Sequence, residues 1–316
     1  MQTEERRIEA PDGHPIAVTL FHPDRPAGLS VLIGSATGAP RRYYRNFASH
    51  LAARGCTVLS FDYRGIGDSI DPMLPGSALR FRDWGLQDMP AALDLLHEIA
   101  PGHPIVAVGH SAGGQMLGLL PNNDRLAAAV TVGSQLGHWG YWPSFSWRWR
   151  MRAITALSMP LTVRSFGRLP GIFMGGVSLP AGIALEWARW CGHPHYYLDE
   201  RGAPHATTFS QMRAPVRLYA ISDDHFYAPA SAVAALQRRF TPGSAELVVR
   251  QPKDWGLREV GHFGFFRTTM PRSAWDEVID WLAAAAQVRL PADTVSVAHE
   301  QAVQALAWPA GELNTA

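Results

Sequence analysis

Between Ile105 and Gly114 the chain reads IVAVGHSAGG, an apolar run that ends in Gly-His-Ser-Ala-Gly and leads into Met116, Leu117 and Leu119. So short an apolar run, opened by Pro104, is the pattern of a strand buried on both faces, and the residues after it are compatible with a helix. A G-x-S-x-G pentapeptide between strand and helix requires a tight turn in which Ser111 adopts a strained backbone conformation. Gly109 and Gly113 are needed because a Cβ at either place would meet neighbouring backbone. Such a turn holds a hydroxyl clear of the carboxyl edge of a sheet, where α/β folds place their ligands.

The rest of the chain supplies the sheet. Short apolar runs at Ile16 to Phe21 and Leu29 to Ile33 read as two opening strands. Tyr44, Phe47, Ala48 and Leu51 recur at helical spacing, and Gly55 stops that helix before a strand from Thr57 to Phe61. Leu86, Met89, Leu93 and Leu96 mark a second helix ahead of Ile105, and Ala127 to Val132 follows the third. The alternation resumes with a strand Val216 to Ile221, a helix around Ala230 to Phe240 and a strand Ala245 to Arg250. A last helix runs through Trp275, Val278, Ile279 and Leu282, with Ser273 and Asp276 spaced as its amino-terminal cap. The expected class is α/β, a mostly parallel central sheet flanked by helices.

After Gly133 this rhythm is lost for roughly seventy residues, longer than an ordinary loop and the mark of an inserted functional element. Six of the eleven tryptophans (Trp139, Trp142, Trp147, Trp149, Trp187, Trp190) fall there. The chain therefore divides into an α/β core at 1–133 and 211–290, a mainly helical cap at 134–210 and a weakly patterned tail at 291–316.

Composition narrows the partners. With 28 Lys and Arg against 27 Asp and Glu, no net field gathers nucleic acid or an anionic surface over long range. A small, largely uncharged substrate suits the chain better, with a homodimer left open. Cys56 and Cys191 are too few for a disulfide framework or a four-thiolate zinc site. The charged start MQTEERRIEAPDG lacks the apolar run of a secretory signal, and no stretch has the length of a membrane span. The expectation is a cytoplasmic protein without stable membrane insertion.

A serine hydroxyl is a weak nucleophile at neutral pH, so a base must take its proton and a third group must orient the base. Ser222-Asp223-Asp224-His225 follows one late strand and Glu259-Val260-Gly261-His262-Phe263-Gly264 follows the next, which satisfies the chain order serine, acid, histidine. His262, after a glycine and just before the last helix, is the candidate base. The oxyanion formed on attack needs two backbone donors. Ala112, directly after Ser111, is one, and the loop Gly34-Ser35-Ala36-Thr37-Gly38 should supply the other, with Ala36 preferred and Thr37 next to it.

These stretches, together with Phe61-Asp62-Tyr63-Arg64-Gly65-Ile66-Gly67-Asp68-Ser69 and Gly261 to Arg267, resemble the α/β-hydrolase superfamily. The likeness is to its bacterial branch related to serine aminopeptidases and monoacylglycerol lipases, and it extends from about Ile16 to Leu282. In many members the acid lies nine positions beyond the proline that opens its strand. Counted from Pro215, that position is Asp224, with Asp223 one short. The resemblance implies Ser111, Asp224 and His262 as a triad, no cofactor, and acyl transfer from an ester, or from a thioester or amide, to water. Gly34-Ser35 stands where relatives carry His-Gly, and the cap matches no family of defined substrate. Asp62 to Ser69 is read as a structural turn. The same site could pass its acyl group to another acceptor as an acyltransferase, or serve a ligand receptor with little turnover.

Two further clusters take structural readings. His193, His195, Asp199, Glu200 and His205 have no zinc spacing, and Pro194 disfavours a helix presenting two ligands. Trp147-Arg148-Trp149-Arg150-Met151-Arg152 could graze a lipid surface or hold an acidic group. Cap packing with arginines turned outward is the preferred reading, with cap aromatics lining an acyl pocket.

Overall fold

The apolar runs assemble, in the computed structural model, into one eight-stranded sheet; the structure describes residues 1–173 and 176–291. In chain order the elements are β1 (Gln2–Glu9), β2 (Pro15–His22), β3 (Leu29–Gly34), α1 (Arg45–Ala53), β4 (Cys56–Phe61), α2 (Met89–Ile99), β5 (Ile105–His110), α3 (Ala112–Met116) and β6 (Leu126–Val132). There follow α4 (Phe145–Ala153), α5 (Met159–Phe166), the two-residue strands β7 (Arg168–Leu169) and β8 (Leu179–Pro180), and α6 (Ala181–Cys191). The chain then returns to the sheet with β9 (Val216–Ile221), α7 (Ala230–Gln237), β10 (Ala245–Arg250) and α8 (Arg272–Ala285).

The strand order is β1-β2-β4-β3-β5-β6-β9-β10, with β2 antiparallel to both its neighbours and every pairing from β4 to β10 parallel. This is the mostly parallel, helix-flanked α/β architecture expected from the alternation. Side-chain direction alternates within each buried strand. Leu32 of β3 therefore packs in one apolar layer with Leu59, Trp84 and Leu93. Val31 and Ile33 pack in the opposite layer with Phe47, Val108 and Trp275. Between β6 and β9 the chain leaves the sheet to form α4, α5, the β7-β8 ribbon and α6. Among the described residues no helix is long and apolar enough to cross a membrane. The tail expected at 291–316 lies, beyond its first residue, outside the described residues.

Two features depart from the sequence reading. The charged start of the chain is a strand, β1, paired with β2 along its length from Gln2 opposite His22 to Glu9 opposite Pro15. Its side chains are exposed apart from the half-buried Glu4 and Ile8, so backbone hydrogen bonds rather than burial hold it, and no apolar pattern announces it. The charges suit an edge strand that must not recruit further strands. Ser273 does not cap α8, which starts one residue earlier with Pro271 as its cap and without a side-chain cap bond. Asp276 instead meets His50 Nε2 at 2.8 Å and accepts from Arg54, tying α8 to α1.

The Asp62 to Ser69 segment is a buried polar hub. The fully buried Asp62 carboxylate accepts from the Arg41 amide, the Arg41 guanidinium and, at 3.0 Å, the Asp68 amide. Ser69 Oγ donates to the Asp62 carbonyl and accepts from Ala17 N on β2. A Cβ at Gly67 would lie 2.4 Å from the Asp62 carboxylate, so the turn closes only with glycine. Removing the Asp62 carboxylate leaves the Arg41 guanidinium only the exposed carboxylates of Asp68 and Glu5, and leaves the Arg41 and Asp68 amides without their acceptor. Asp62→Ala should therefore lower the unfolding free energy by about 3 kcal/mol or more, read as a reduced urea midpoint with an unchanged slope.

Candidate active site

The carboxyl ends of β5, β6, β9 and β10 deliver the candidate residues to one edge of the sheet. Ser111 follows β5 with φ +50° and ψ −112°, the strained conformation expected of the elbow. A Cβ at Gly113 would sit 2.1 Å from the Gly34 carbonyl oxygen at the end of β3, and one at Gly109 would sit 2.5 Å from Gly114 N. The turn is therefore packed backbone against backbone. The Ser111 amide donates to the Val132 carbonyl (3.0 Å), joining the elbow to the end of β6.

Asp224 and His262 meet directly. The His262 ring donates from Nδ1 to Asp224 Oδ2 at 2.6 Å, with both side chains buried, and Asp224 Oδ1 accepts the Tyr227 amide at 3.1 Å. Asp223 is turned elsewhere. Its carboxylate accepts the amides of Val260 (2.8 Å) and Gly261 (3.0 Å) and thereby holds the loop that presents His262. The two neighbouring acids divide the work, one orienting the ring and the other its loop. Gly133, at φ +61° after β6, leaves room for this pair: a Cβ there would lie 3.2 Å from His262 Nδ1 and 3.7 Å from Asp224 Oδ2.

His110, the residue before Ser111, contacts His262 directly. The His110 ring lies 5.1 Å from the His262 ring between centroids, and its Nε2 donates to the His262 carbonyl at 2.9 Å. Among the described contacts the Ser111 hydroxyl is not hydrogen-bonded to the His262 ring. Such bonds are often long in ligand-free sites and tighten when substrate binds. His110 Nδ1 faces the Tyr44 hydroxyl at 2.8 Å, and the Tyr44 oxygen accepts the Ala36 amide at 2.7 Å. The donors and acceptors allow one consistent chain: Ala36 N–H to Tyr44, Tyr44 O–H to His110 Nδ1, and His110 Nε2–H to the His262 carbonyl. Burial pushes the His110 imidazole well below its ordinary 6.5, and the neighbouring His262 adds to the shift, so His110 serves this chain as a neutral ring.

Sequence comparison reaches the same fold independently. A family model described as the alpha/beta hydrolase family matches residues 31–281. The chain belongs to the alpha/beta hydrolase family. The match fixes the superfamily and no branch within it. A search of curated protein sequences gives no match. Solved structures align over most of their length. A hypothetical protein from Pseudomonas aeruginosa aligns with TM-score 0.61 at 15% identity, covering 90% of this chain and 94% of that one. A soluble variant of monoglyceride lipase from Saccharomyces cerevisiae gives 0.58 at 15%, covering 89% and 94%. A thermophilic esterase from Thermogutta terrifontis gives 0.55 at 17%, covering 90% and 99%. Identities this low speak for the fold alone.

Within this hydrolase fold, the amide of one expected oxyanion donor is already engaged. The Ala36 amide already donates to Tyr44 and is not free to receive an oxyanion. Ala112 opens α3, where first-turn amides lack helical partners, and its N–H makes no hydrogen bond among the described residues. The same holds for the buried Thr37, the alternative to Ala36. Tyr44 and His110 were visible in the sequence, one as a helix-face position and the other as the variable residue of the pentapeptide. Neither spacing signals that they pair. Likewise the histidines of 193–205 gather no ligand set: His193 and His195 stack at 5.4 Å, and Asp199 Oδ1 accepts the amides of Arg201 and Ala203 within a turn. Among the described residues no group of three or more metal-ligating side chains forms.

A cavity of about 300 Å³ is lined, among others, by Trp142, Met151, Met159, Trp187, Phe226 and Tyr227. The Tyr227 ring stacks on His262, with centroids 4.7 Å apart and planes at 28°, so one wall of the cavity is continuous with the candidate base.

Tyr44→Phe leaves the Ala36 amide and His110 Nδ1 without this partner in a buried site. It should destabilise the protein by about 1–3 kcal/mol, measured by denaturant unfolding against wild type. Burial also lowers His50 and His138 from 6.5. For these histidines and His110 the unfolded chain binds protons more readily than the folded one. Their contribution is thus fully present above pH 6.5 and lost as the pH falls through the lowered folded values. Melting temperature should fall between about pH 6.5 and 5 once the opposing contribution of Asp88, whose carboxyl burial raises to about 7, is removed in Asp88→Asn. A flat profile across that window would contradict the neutral assignment.

Proposed function

We propose that this chain is a serine esterase that cleaves esters of apolar acids through an acyl-enzyme on Ser111. The observation that carries the reading is the 2.6 Å contact of His262 Nδ1 with Asp224, in a chain that also holds Ser111 at φ +50° on the elbow. With Nδ1–H donated to Asp224, the Nε2 lone pair is the free basic site of the ring. Ser111 Oγ adds to the ester carbonyl as its proton passes to His262 Nε2. The carbonyl oxygen becomes an oxyanion, which the Ala112 amide stabilises together with a donor from the loop after β3, where Thr37 is the unoccupied candidate. Collapse breaks the bond to the alcohol oxygen, which leaves with the proton held on His262. Water then repeats the sequence: His262 takes its proton, the hydroxyl adds to the acyl carbon, and Ser111 departs with that proton as the acid is released.

The segment at 134–210 acts as a cap in this reading, and its cavity takes the acyl chain. A methylene fills about the volume of a water molecule, roughly 30 Å³. About 300 Å³ therefore suits an acyl group near ten carbons or a compact ring system of similar size. Apolar walls give the site no ionic handle, which favours uncharged acyl groups.

Ser111→Ala should abolish hydrolysis of p-nitrophenyl esters and labelling by a fluorophosphonate. Asp224→Asn should lower kcat by roughly 10⁴-fold, while Asp223→Asn, which keeps an acceptor for the Val260 and Gly261 amides, should retain most activity. Equal losses for the two would overturn the choice of acid, and undiminished turnover in Ser111→Ala would overturn the nucleophile. Met159→Trp should move preference toward short acyl chains, read as kcat/KM across a chain-length series.

A further inference from the structure

From Phe145 to Phe166 the chain is helical without a break, α4 passing through a widened turn at Ile154–Ser158 into α5. Its inner row, Met151, Thr155, Met159 and Val163, is buried, and the first three line the cavity. The outer row repeats the same spacing with Phe145 (75% exposed), Trp149 (50%), Leu157 (58%) and Leu161 (54%). A large aromatic and aliphatic stripe on the solvent side of a surface helix is what a monomer in water avoids.

Charge decides what covers it. From Leu126 to Leu185 the sequence contains no Asp or Glu and five arginines, Arg148, Arg150, Arg152, Arg164 and Arg168, all of them exposed. Among the described residues none of the five pairs with a carboxylate. Arg148 donates to the Trp142 carbonyl, Arg150 lies over the Trp147 ring, and Arg152 lies over the Trp149 and Trp139 rings. A twofold dimer through this stripe would set the same guanidinium groups against one another. An anionic lipid surface instead neutralises them while taking up the apolar row, the combination that holds interfacial helices at the headgroup level.

We infer that the outer face of Phe145–Phe166 docks this protein on anionic phospholipid membranes. The arginines contact lipid phosphates, and Phe145, Trp149, Leu157 and Leu161 enter the acyl boundary. Since the opposite face of the helix walls the cavity, docking sets that cavity next to the lipid phase. The near-zero net charge of the whole chain does not oppose this, because the positive charge is concentrated on one segment.

The test is co-sedimentation of the full chain with vesicles of phosphatidylcholine containing phosphatidylglycerol, against vesicles of phosphatidylcholine alone. Wild type should bind the anionic vesicles, and binding should weaken as salt is raised. The double variant Trp149→Glu/Leu161→Glu should bind at least roughly tenfold more weakly. Val249→Glu, which alters an exposed apolar residue on β10, should bind as wild type does. Both variants change only exposed positions, and unchanged melting temperatures establish that they fold. Equal binding to the two vesicle types, or full binding by the double variant, overturns the proposal. So does a wild-type dimer by light scattering that the double variant converts to monomer, which would make the stripe a self-association face. Ser111→Ala should bind vesicles like wild type, so failure of docking is distinguishable from failure of the esterase reading.

Discussion

Everything at the sheet edge depends on two stretches of backbone touching with no side chain between them. At Gly113 the start of α3 lies against Gly34 at the end of β3, close enough that a Cβ would overlap the Gly34 carbonyl oxygen. Residues in sparsely populated backbone regions cost on the order of 1–3 kcal/mol and persist only where their surroundings over-determine them. Ser111 is over-determined: its amide is held by Val132, and its carbonyl accepts the amides of Gly114 and Gln115. The strain therefore cannot relax by local rotation. It leaves the proposed nucleophile and the Ala112 amide on a fixed frame, with pre-organisation built in before substrate arrives.

A second layer of backbone-directed polar contacts places His262 against that frame. The base candidate sits on a loop after β10, and loops of that kind wander unless tied down. Three ties converge on it: Asp223 through the amides of Val260 and Gly261, His110 through the His262 carbonyl, and Tyr43 through the Phe263 carbonyl. All three use main-chain atoms of the residue itself or its direct neighbours, so they fix where the ring starts without engaging it. The ring meets Asp224 through one nitrogen, and the other makes no hydrogen bond among the described residues. Tyr44 extends the same network to Ala36, linking the loop after β3 to the loop after β10 through a single phenol.

Most of this fold was legible because buried parallel strands write themselves as apolar runs. Val216–Ile221, buried at five of its six positions, appears in the structure with the bounds expected of it, as does the half-exposed edge strand Ala245–Arg250. β1 was not legible, since an edge strand held by main-chain bonds has no need of an apolar pattern. The cap assignment of Ser273 failed because Pro271 starts α8 and Asp276 is engaged by α1, a tertiary contact that local spacing cannot report. At the site, the order serine, acid, histidine and the family's spacing after Pro215 point to Ser111, Asp224 and His262, and the structure brings Asp224 and His262 together. Ala36 followed from loop position alone. The side chain that occupies its amide comes from Tyr44, a residue whose helical spacing marked it only as core. Hydrogen-bond partners across the sheet are the part of a site that one-dimensional patterns do not carry.

The helix from Phe145 to Phe166 shows how a local irregularity can join two surfaces. An α-helix advances about 100° per residue, so side chains four apart drift by about 40° at each step. Over Met151, Thr155, Met159 and Val163 that drift would carry the row well around the helix, yet all four are buried. The widened turn at Ile154–Ser158 rotates less per residue and takes back part of the drift. It keeps the inner row aimed at the cavity and, by the same correction, keeps Trp149, Leu157 and Leu161 aligned on the outside. One extra residue in one turn thus maintains a cavity wall and an apolar outer stripe on opposite sides of a single helix. Any displacement of that helix by what it contacts outside would change the volume of the cavity that Met151, Thr155 and Met159 line.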